Sequence, residues 1–376
     1  MKQKKHPLVS VILRFFNDEK YIRECIESVL NQDYKNIELI LVNNDSQDNS
    51  AKIADEFLGD KRVKILRNDK NVISGAFSTK KGLKESEGEY ITLFCADDVM
   101  NKNCISKKVE FLEENPEFLA CFANLEIIDQ NSKKTGGNLL CAQKNNRFEY
   151  LRYIFQNYFC VTFPGATIRK KDFLYDAMDE RLVHFFDVAL WVNILQRGEI
   201  KVLDEYHVKY RQHGSNVSAI FGDRNKYTQY LFELDFFYDE FFKIKDFELI
   251  YNVFPEAKPL LNKIDKEKDT DLLGIIIAIT LFNNEKYTPF ISGILKNIAL
   301  RKITRLIDDK IVFKKATDKI IDQNYIVDYS KYYNEGIEID CRSPKKNNLF
   351  TRLFLSSKLR KKRRSLENNH QQFQTK

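Results

Sequence analysis

The chain holds one tryptophan, seven prolines and thirteen glycines among 376 residues. So few turn-formers argue against a loop-rich or low-complexity protein. Its seven cysteines stand at Cys25, Cys95, Cys104, Cys121, Cys141, Cys160 and Cys341, and no two form a CxxC pair. An odd number without close pairs speaks against a structural zinc site or a disulfide framework, and for thiols kept in a reducing compartment. Long apolar runs are also lacking. Leu272 to Phe282 is the longest beyond the first strand, well short of the roughly 20 residues of a spanning helix. The opening MKQKKHPLVSVILRFFNDE turns from positive to apolar and then to Asn17, Asp18 and Glu19. An apolar stretch of about eight residues with that ending is a strand, not a signal peptide. The expected location is the cytoplasm.

A broad basic surface is missing too. The formal net charge is +7, yet ten Lys/Arg and no acidic residue lie between Arg342 and Arg364. Without that segment the chain is slightly acidic, so nucleic-acid binding by the folded body is not expected. Apolar residues, by contrast, make up 43% of the chain, with 29 Phe and 18 Tyr, enough for a sizeable core.

The first hundred residues alternate strand and helix signals. Leu8 to Phe15 is a β-branched run, and Tyr21 to Gln32 carries Ile22, Cys25, Ile26, Val29 and Leu30 at helical spacing. Ile37 to Val42, Val63 to Leu66 and Tyr90 to Phe94 read as strands; Asn49 to Phe57, Ser74 to Ser86 and Ile105 to Asn115 read as helices. This order predicts an α/β fold, a parallel sheet with helices on both faces. A stretch of mixed signals runs to Ser218, and 219–340 has aromatic and aliphatic residues at helical spacing, a mainly helical extension. The segment 341–376 is basic and then polar, and is expected to be disordered.

Ligands on parallel sheets bind beyond the carboxyl ends of the strands. Three such ends carry polar clusters: Phe15-Phe16-Asn17, Asn43-Asn44-Asp45-Ser46 and Cys95-Ala96-Asp97-Asp98. Two adjacent carboxylates repel unless something positive lies beside them. A divalent metal holding a phosphate is one answer; capping of the following helix is the other.

At these residues the sequence resembles the family 2 glycosyltransferases, which have the GT-A fold. VSVILRFFN is similar to the family's VSVIIPTYN, and SVLNQDYKNIELILVNNDSQDNS to its SVLNQTYxNxEIIVVDDGSTDNT. GLKESEGEYITLFCADD and NPEF follow in order, then FFDVALWVNIL against EDxDLWLRL and YRQHGSNVS against YRxHxxS. The match runs from Pro7 to Ser218, the expected catalytic domain (1–218). It implies inverting transfer from a nucleoside-diphosphate sugar. Phe16 would stack on the base, Asn43 would face it, and Asp97 would meet the ribose or the water shell of a metal. Asp98 would ligate Mg²⁺ or Mn²⁺. Asp187 would be the catalytic base that takes the acceptor hydroxyl's proton. His213 would be a further metal ligand or a diphosphate contact, and Arg211 a diphosphate contact. Trp191 and the cysteines read as core.

The chain departs from the pattern at several of these places. Asn43-Asn44 replaces a pair of aspartates, Cys95 the first acid of the DxDD run, Phe186 the acid before the base, and Arg14 the proline of the opening motif. Lys80-Lys81 precedes Gly82 where the family has Asn-Gly. These departures leave two rivals: a catalytically degenerate nucleotide-sugar-binding or scaffold protein, and a nucleotidyltransferase on a similar sheet. The second usually needs a Gly-rich basic loop after strand one, where Phe15-Phe16-Asn17 stands here. The tail, Leu349 to Arg364, joins an apolar cluster to a Lys/Arg run. Such a segment suits an anionic membrane surface, and with it a glycan or lipid-linked acceptor in bacterial surface-glycan synthesis.

Overall fold

The computed structural model describes residues 6–320, apart from 171–172, 215, 217–223, 284–288 and 308. β1 (Val9–Phe15) shows why the chain begins as a strand covered on both sides. Val9, Val11, Leu13 and Phe15 enter one apolar cluster and Ile12 enters another on the opposite face, the two-residue period of a pleated strand. α1 (Ile22–Leu30) buries Ile22, Cys25, Ile26 and Val29 along one stripe. β2 (Ile37–Asn43), α2 (Ser50–Asp55), β3 (Val63–Arg67), α3 (Gly75–Lys84) and β4 (Tyr90–Cys95) continue the alternation. β1 pairs in parallel with both β2 and β4, and β2 with β3. α3 lies close against β1: a Cβ on Gly82 would stand 2.6 Å from Ile12 Cγ2, an approach that only glycine permits.

The chain then changes architecture. β5 (Val99–Met100), α4 (Cys104–Glu114), β6 (Phe118–Ile128), β7 (Lys134–Leu139), α5 (Arg147–Asn157), β8 (Thr167–Arg169), α6 (Phe173–Asp176), α7 (Phe186–Leu195) and β9 (Glu199–Arg211) follow. Among the described residues they complete one nine-stranded sheet in the order β3-β2-β1-β4-β8-β6-β9-β5, with β7 on β6. β8 runs antiparallel to β4 and β6, while β6 and β9 run parallel. This is the GT-A arrangement that the sequence resemblance implies.

The helical part comprises α8 (Arg224–Phe242), α9 (Phe247–Val253), α10 (Lys258–Leu261), α11 (Leu273–Phe282), α12 (Pro289–Ile307) and α13 (Lys310–Lys319). Its sequence, apolar nearly all round in α11, puts that helix inside the protein. No helix among the described residues is long and apolar enough to cross a membrane. α8 packs on α7, and Phe155 of α5 meets Tyr238, Phe241 and Phe254 edge-on. Trp191 is buried in the same cluster, edge-on to Phe122 at 4.8 Å. Core from the sheet and core from the helices are therefore one continuous body. The expected boundary near 218 falls at residues outside those described, as does the basic segment from 341 onward.

Candidate active site

The carboxyl ends of β1, β2 and β4 lie side by side because these strands are neighbours in the sheet. Polar cross-links fasten the first two ends. Asn17 and Asp45 take left-handed backbone conformations, φ 56° and 63°, which Asn and Asp tolerate best among non-glycine residues. Gln47 N donates to Asn17 Oδ1 at 2.8 Å, Asp18 N to Ser50 Oγ at 2.7 Å, and Asn49 N to Glu19 Oε2 at 3.0 Å. Phe16 stands in this turn with its side chain partly in solvent. Asn43 ends β2 and is almost buried; its Oδ1 accepts Ser46 N at 2.9 Å. The next residue, Asn44, holds the loop beyond β3. Its Nδ2 donates to Asn71 Oδ1 and the Val72 carbonyl, and its Oδ1 accepts from Asn68 Nδ2 and Val72 N.

The end of β4 gathers Cys95, Asp97 and Asp98. One ligand atom from each lies within 4.8 Å of the others. Asp98 is fully buried. Its Oδ1 accepts Arg211 N at 2.9 Å, while its buried Oδ2 has no partner. Burial, with Asp97 beside it, pushes the Asp98 carboxyl well above the usual range. An orphaned buried oxygen next to a second carboxylate is a donor set that a divalent cation completes, so the residues fit that ion. Asp97 Oδ2 meets His213 Nε2 at 3.2 Å and Asn216 Nδ2 at 3.1 Å. Asn216 also accepts His213 N at 2.6 Å, and the His213 ring stacks on Tyr21. His213 is thus brought to the acidic pair from more than a hundred residues away.

Arg211 has a different task from the diphosphate contact expected of it. The side chain is 1% exposed. Its Nε donates to the Asp97 carbonyl at 2.7 Å, Nη1 to the Asp129 carbonyl and Ser132 Oγ, and Nη2 to Glu24 Oε2 at 2.7 Å. Tyr21 covers its flat face. A guanidinium engaged this way is a strut under the Asp97-Asp98 turn, with its donors turned toward protein.

Asp187 lies in the first turn of α7, partly buried, and its Oδ1 accepts Val188 N at 2.8 Å. Burial pushes its carboxyl up to about 6, opposed by that hydrogen bond and by the Arg14 guanidinium. Arg14 comes from β1, whose pleat turns it to the α3 and α7 face. There it lies over the rings of Phe163 and Phe186, and a Cβ on Gly75 would stand 2.7 Å from its Cζ. Its charge also acts on Asp18, which burial pushes up to about 7 and which feels Asp97. The Arg14 charge therefore acts on both Asp18 and Asp187. Its place in an apolar strand hid it from the motif reading, except as a departure from proline. Asp18, Asn216 and Glu24 were missed too. Only the proximity of Asp18 to the first strand end hinted at one of them.

Comparison with known proteins gives the family and the fold. Residues 10–174 match the family described as Glycosyl transferase family 2. An uncharacterised glycosyltransferase of Methanocaldococcus jannaschii is 29% identical over 54% of this chain and 71% of its own. The fold is similar to that of residues 1–349 of Staphylococcus aureus TarS in its complex with UDP-GlcNAc, with a TM-score of 0.51 and 18% identity over 87% and 92% of the two chains. The Escherichia coli UDP-Glc:alpha-D-GlcNAc-diphosphoundecaprenol beta-1,3-glucosyltransferase WfaP is 30% identical over 56% of this chain and 80% of its own. With a relative that similar matched over four fifths of its length, the chain belongs to glycosyl transferase family 2 and is a glycosyltransferase.

Proposed function

We propose that the protein is an inverting glycosyltransferase that moves a sugar from a uridine-diphosphate donor to a hydroxyl of a glycan or lipid-linked acceptor, in the synthesis of a bacterial surface polysaccharide. The observation that carries the reading is Asp187. It is a partly buried carboxyl in the first turn of α7, held up to about 6 by burial with the Arg14 guanidinium opposing. A group with that affinity is ionised at neutral pH yet basic enough to take a proton from an attacking hydroxyl. Phe16 and Asn43 would hold the base, and Asp97 the ribose. Asp98, with His213, would hold Mg²⁺ or Mn²⁺, which supplies positive charge against the diphosphate leaving group. The uridine assignment takes support from the UDP-sugars named with TarS and WfaP, and the lipid-linked acceptor from the WfaP name.

Release of nucleoside diphosphate from a panel of UDP-, GDP- and CDP-sugars, with Mn²⁺ present, tests this. UDP-sugars should turn over, and Asp187→Asn should lower the rate by about 10² or more while leaving UDP affinity intact. Preference for GDP-sugars, or full turnover in Asp187→Asn, counts against it. Contact with an anionic leaflet through Leu349–Arg364 is part of the proposal. Deleting 341–376 should weaken binding to anionic vesicles, and unchanged binding removes that contact.

A further inference from the structure

Glu233 lies in the middle of α8, well beyond the family match. It is 1% exposed. Its Oε2 accepts three consecutive backbone N–H groups: Val183 at 2.9 Å, His184 at 2.8 Å and Phe185 at 3.3 Å. Successive amides converging on one carboxylate oxygen make an anion-binding nest, and the charge strengthens each bond. Phe185 is the N-cap residue of α7, two positions before Asp187. Tyr230 and Phe237, one turn either side of Glu233, close on the Phe185 ring at 4.6 and 5.1 Å. From the other side, Ser74 Oγ donates to the Leu182 carbonyl at 2.8 Å. The segment that delivers Asp187 is therefore gripped by one face of α8. Oε1 of Glu233 is buried without a hydrogen-bond partner, so the hydrogen bonds of this buried carboxylate are those of the nest.

We propose that Glu233 is a positioning residue for Asp187, and that the helical part of the chain sets the catalytic geometry. The proposal rests on the reading of Asp187 as the base. A carboxylate that fixes three amides leading into α7 fixes the first turn of that helix, and a displacement of about 1 Å at a reacting group can lower turnover about 10²-fold. The residues assigned to the donor, Asn43, Asp97 and Asp98, stand at the ends of β2 and β4.

The test compares Glu233→Gln and Glu233→Ala in the full chain. Glu233→Ala should lower kcat about 10- to 100-fold while UDP affinity, titrated directly, changes less than about twofold. Glu233→Gln, which keeps one carbonyl acceptor, should recover part of kcat. Hydrogen exchange at the amides of residues 183–185 should rise in both. In the Asp187→Asn background Glu233→Ala should lower turnover no further, because its effect passes through Asp187. Wild-type kcat in Glu233→Ala, equal loss of kcat and UDP binding, or a full further loss in the double variant overturns the proposal. If Glu233→Ala does not fold, Glu233→Gln alone decides it: unchanged kcat and unchanged exchange at 183–185 overturn it. Failure of the base reading is distinguishable, since it appears as full turnover in Asp187→Asn alone.

Discussion

The two halves of the sheet hold their site residues by different means. In β3-β2-β1-β4 the strands are parallel and successive in sequence, and their polar ends are tied to each other by short-range loops. Asn17 bonds the turn after β2, and Asn44 bonds the loop after β3. In β8-β6-β9-β5 the pairings are mixed and distant in sequence, and Asp187 depends on α8, outside the sheet. The β1 and β2 ends form one local unit, whereas the Asp97-Asp98 turn is braced from β9 by Arg211 and met by His213 just beyond it. A base hung on long-range contacts can be retuned by a separate helical part. The two halves meet electrostatically at Arg14.

The largest expected effect breaks the donor half. Asp98→Ala removes the carboxylate whose Oδ2 lacks a protein partner, and should abolish transfer together with Mn²⁺-dependent UDP binding. Titration of UDP with and without Mn²⁺ checks it; near-normal turnover in the presence of a chelator would show the metal assignment wrong.

Asp187→Asn breaks the other half and leaves the first standing. Turnover should fall about 10²-fold with UDP affinity kept. The wild-type kcat should rise as pH passes through about 6 and level off above, since ionised Asp187 is the active form. Stability has the opposite sign. A carboxyl raised from 3.8 to about 6 binds its proton more tightly folded than unfolded, so folding loses free energy as pH rises through that window. Asp187→Asn should therefore raise the melting temperature at pH 7.5, by at most about 3 kcal/mol of stability and less where water reaches its exposed edge. A kcat flat from pH 5 to 8, or a variant with lower melting temperature, disagrees with this.

The same contrast explains what could be read from sequence. β1 to β4 were legible nearly to the residue, because each is a short β-branched run between amphipathic helices. β9 was not: Glu199 to Arg211 carries six charged residues and gains its identity by pairing with β6. Asp187 and His213 carried motif signals; the fold puts His213 against Asp97 and Asp187 in the first turn of α7. Arg211 carried the same kind of signal, but no motif reports that its donors would be taken by Asp97, Asp129, Ser132 and Glu24. Glu233 was invisible for a related reason. A glutamate on a helix looks solvated until the fold brings three amides to it.

Asn44→Ala sharpens the comparison by loosening the donor half without touching a ligand residue. It removes four hydrogen bonds between the β2 end and residues 68–72. The loss should be about 2 kcal/mol of stability, since partners are left unsatisfied, with faster hydrogen exchange confined to residues 68–72. Exchange that rises equally at 183–185 would mean the two halves are one cooperative unit.

The smallest effect concerns the nucleotide base. Asn43 is nearly buried at the end of β2, and its Oδ1 is occupied by Ser46 N at 2.9 Å. Asn43→Asp keeps that turn, because a carboxylate oxygen accepts the same bond. The substitution thus changes the other atom, from an NH₂ donor to an acceptor. A donor there can serve a uracil carbonyl or the unprotonated N3 of cytosine. An acceptor serves uracil N3–H and meets cytosine N3 as a second acceptor, which is repulsive. Asn43→Asp should therefore keep UDP binding and weaken CDP binding by roughly tenfold, the scale of one hydrogen bond made or opposed. Titrating both proteins with UDP, CDP and GDP measures it. Preference of the wild type for GDP, or a variant in which all three affinities are unchanged, would remove Asn43 from the base site and leave it as the residue that closes the β2 turn.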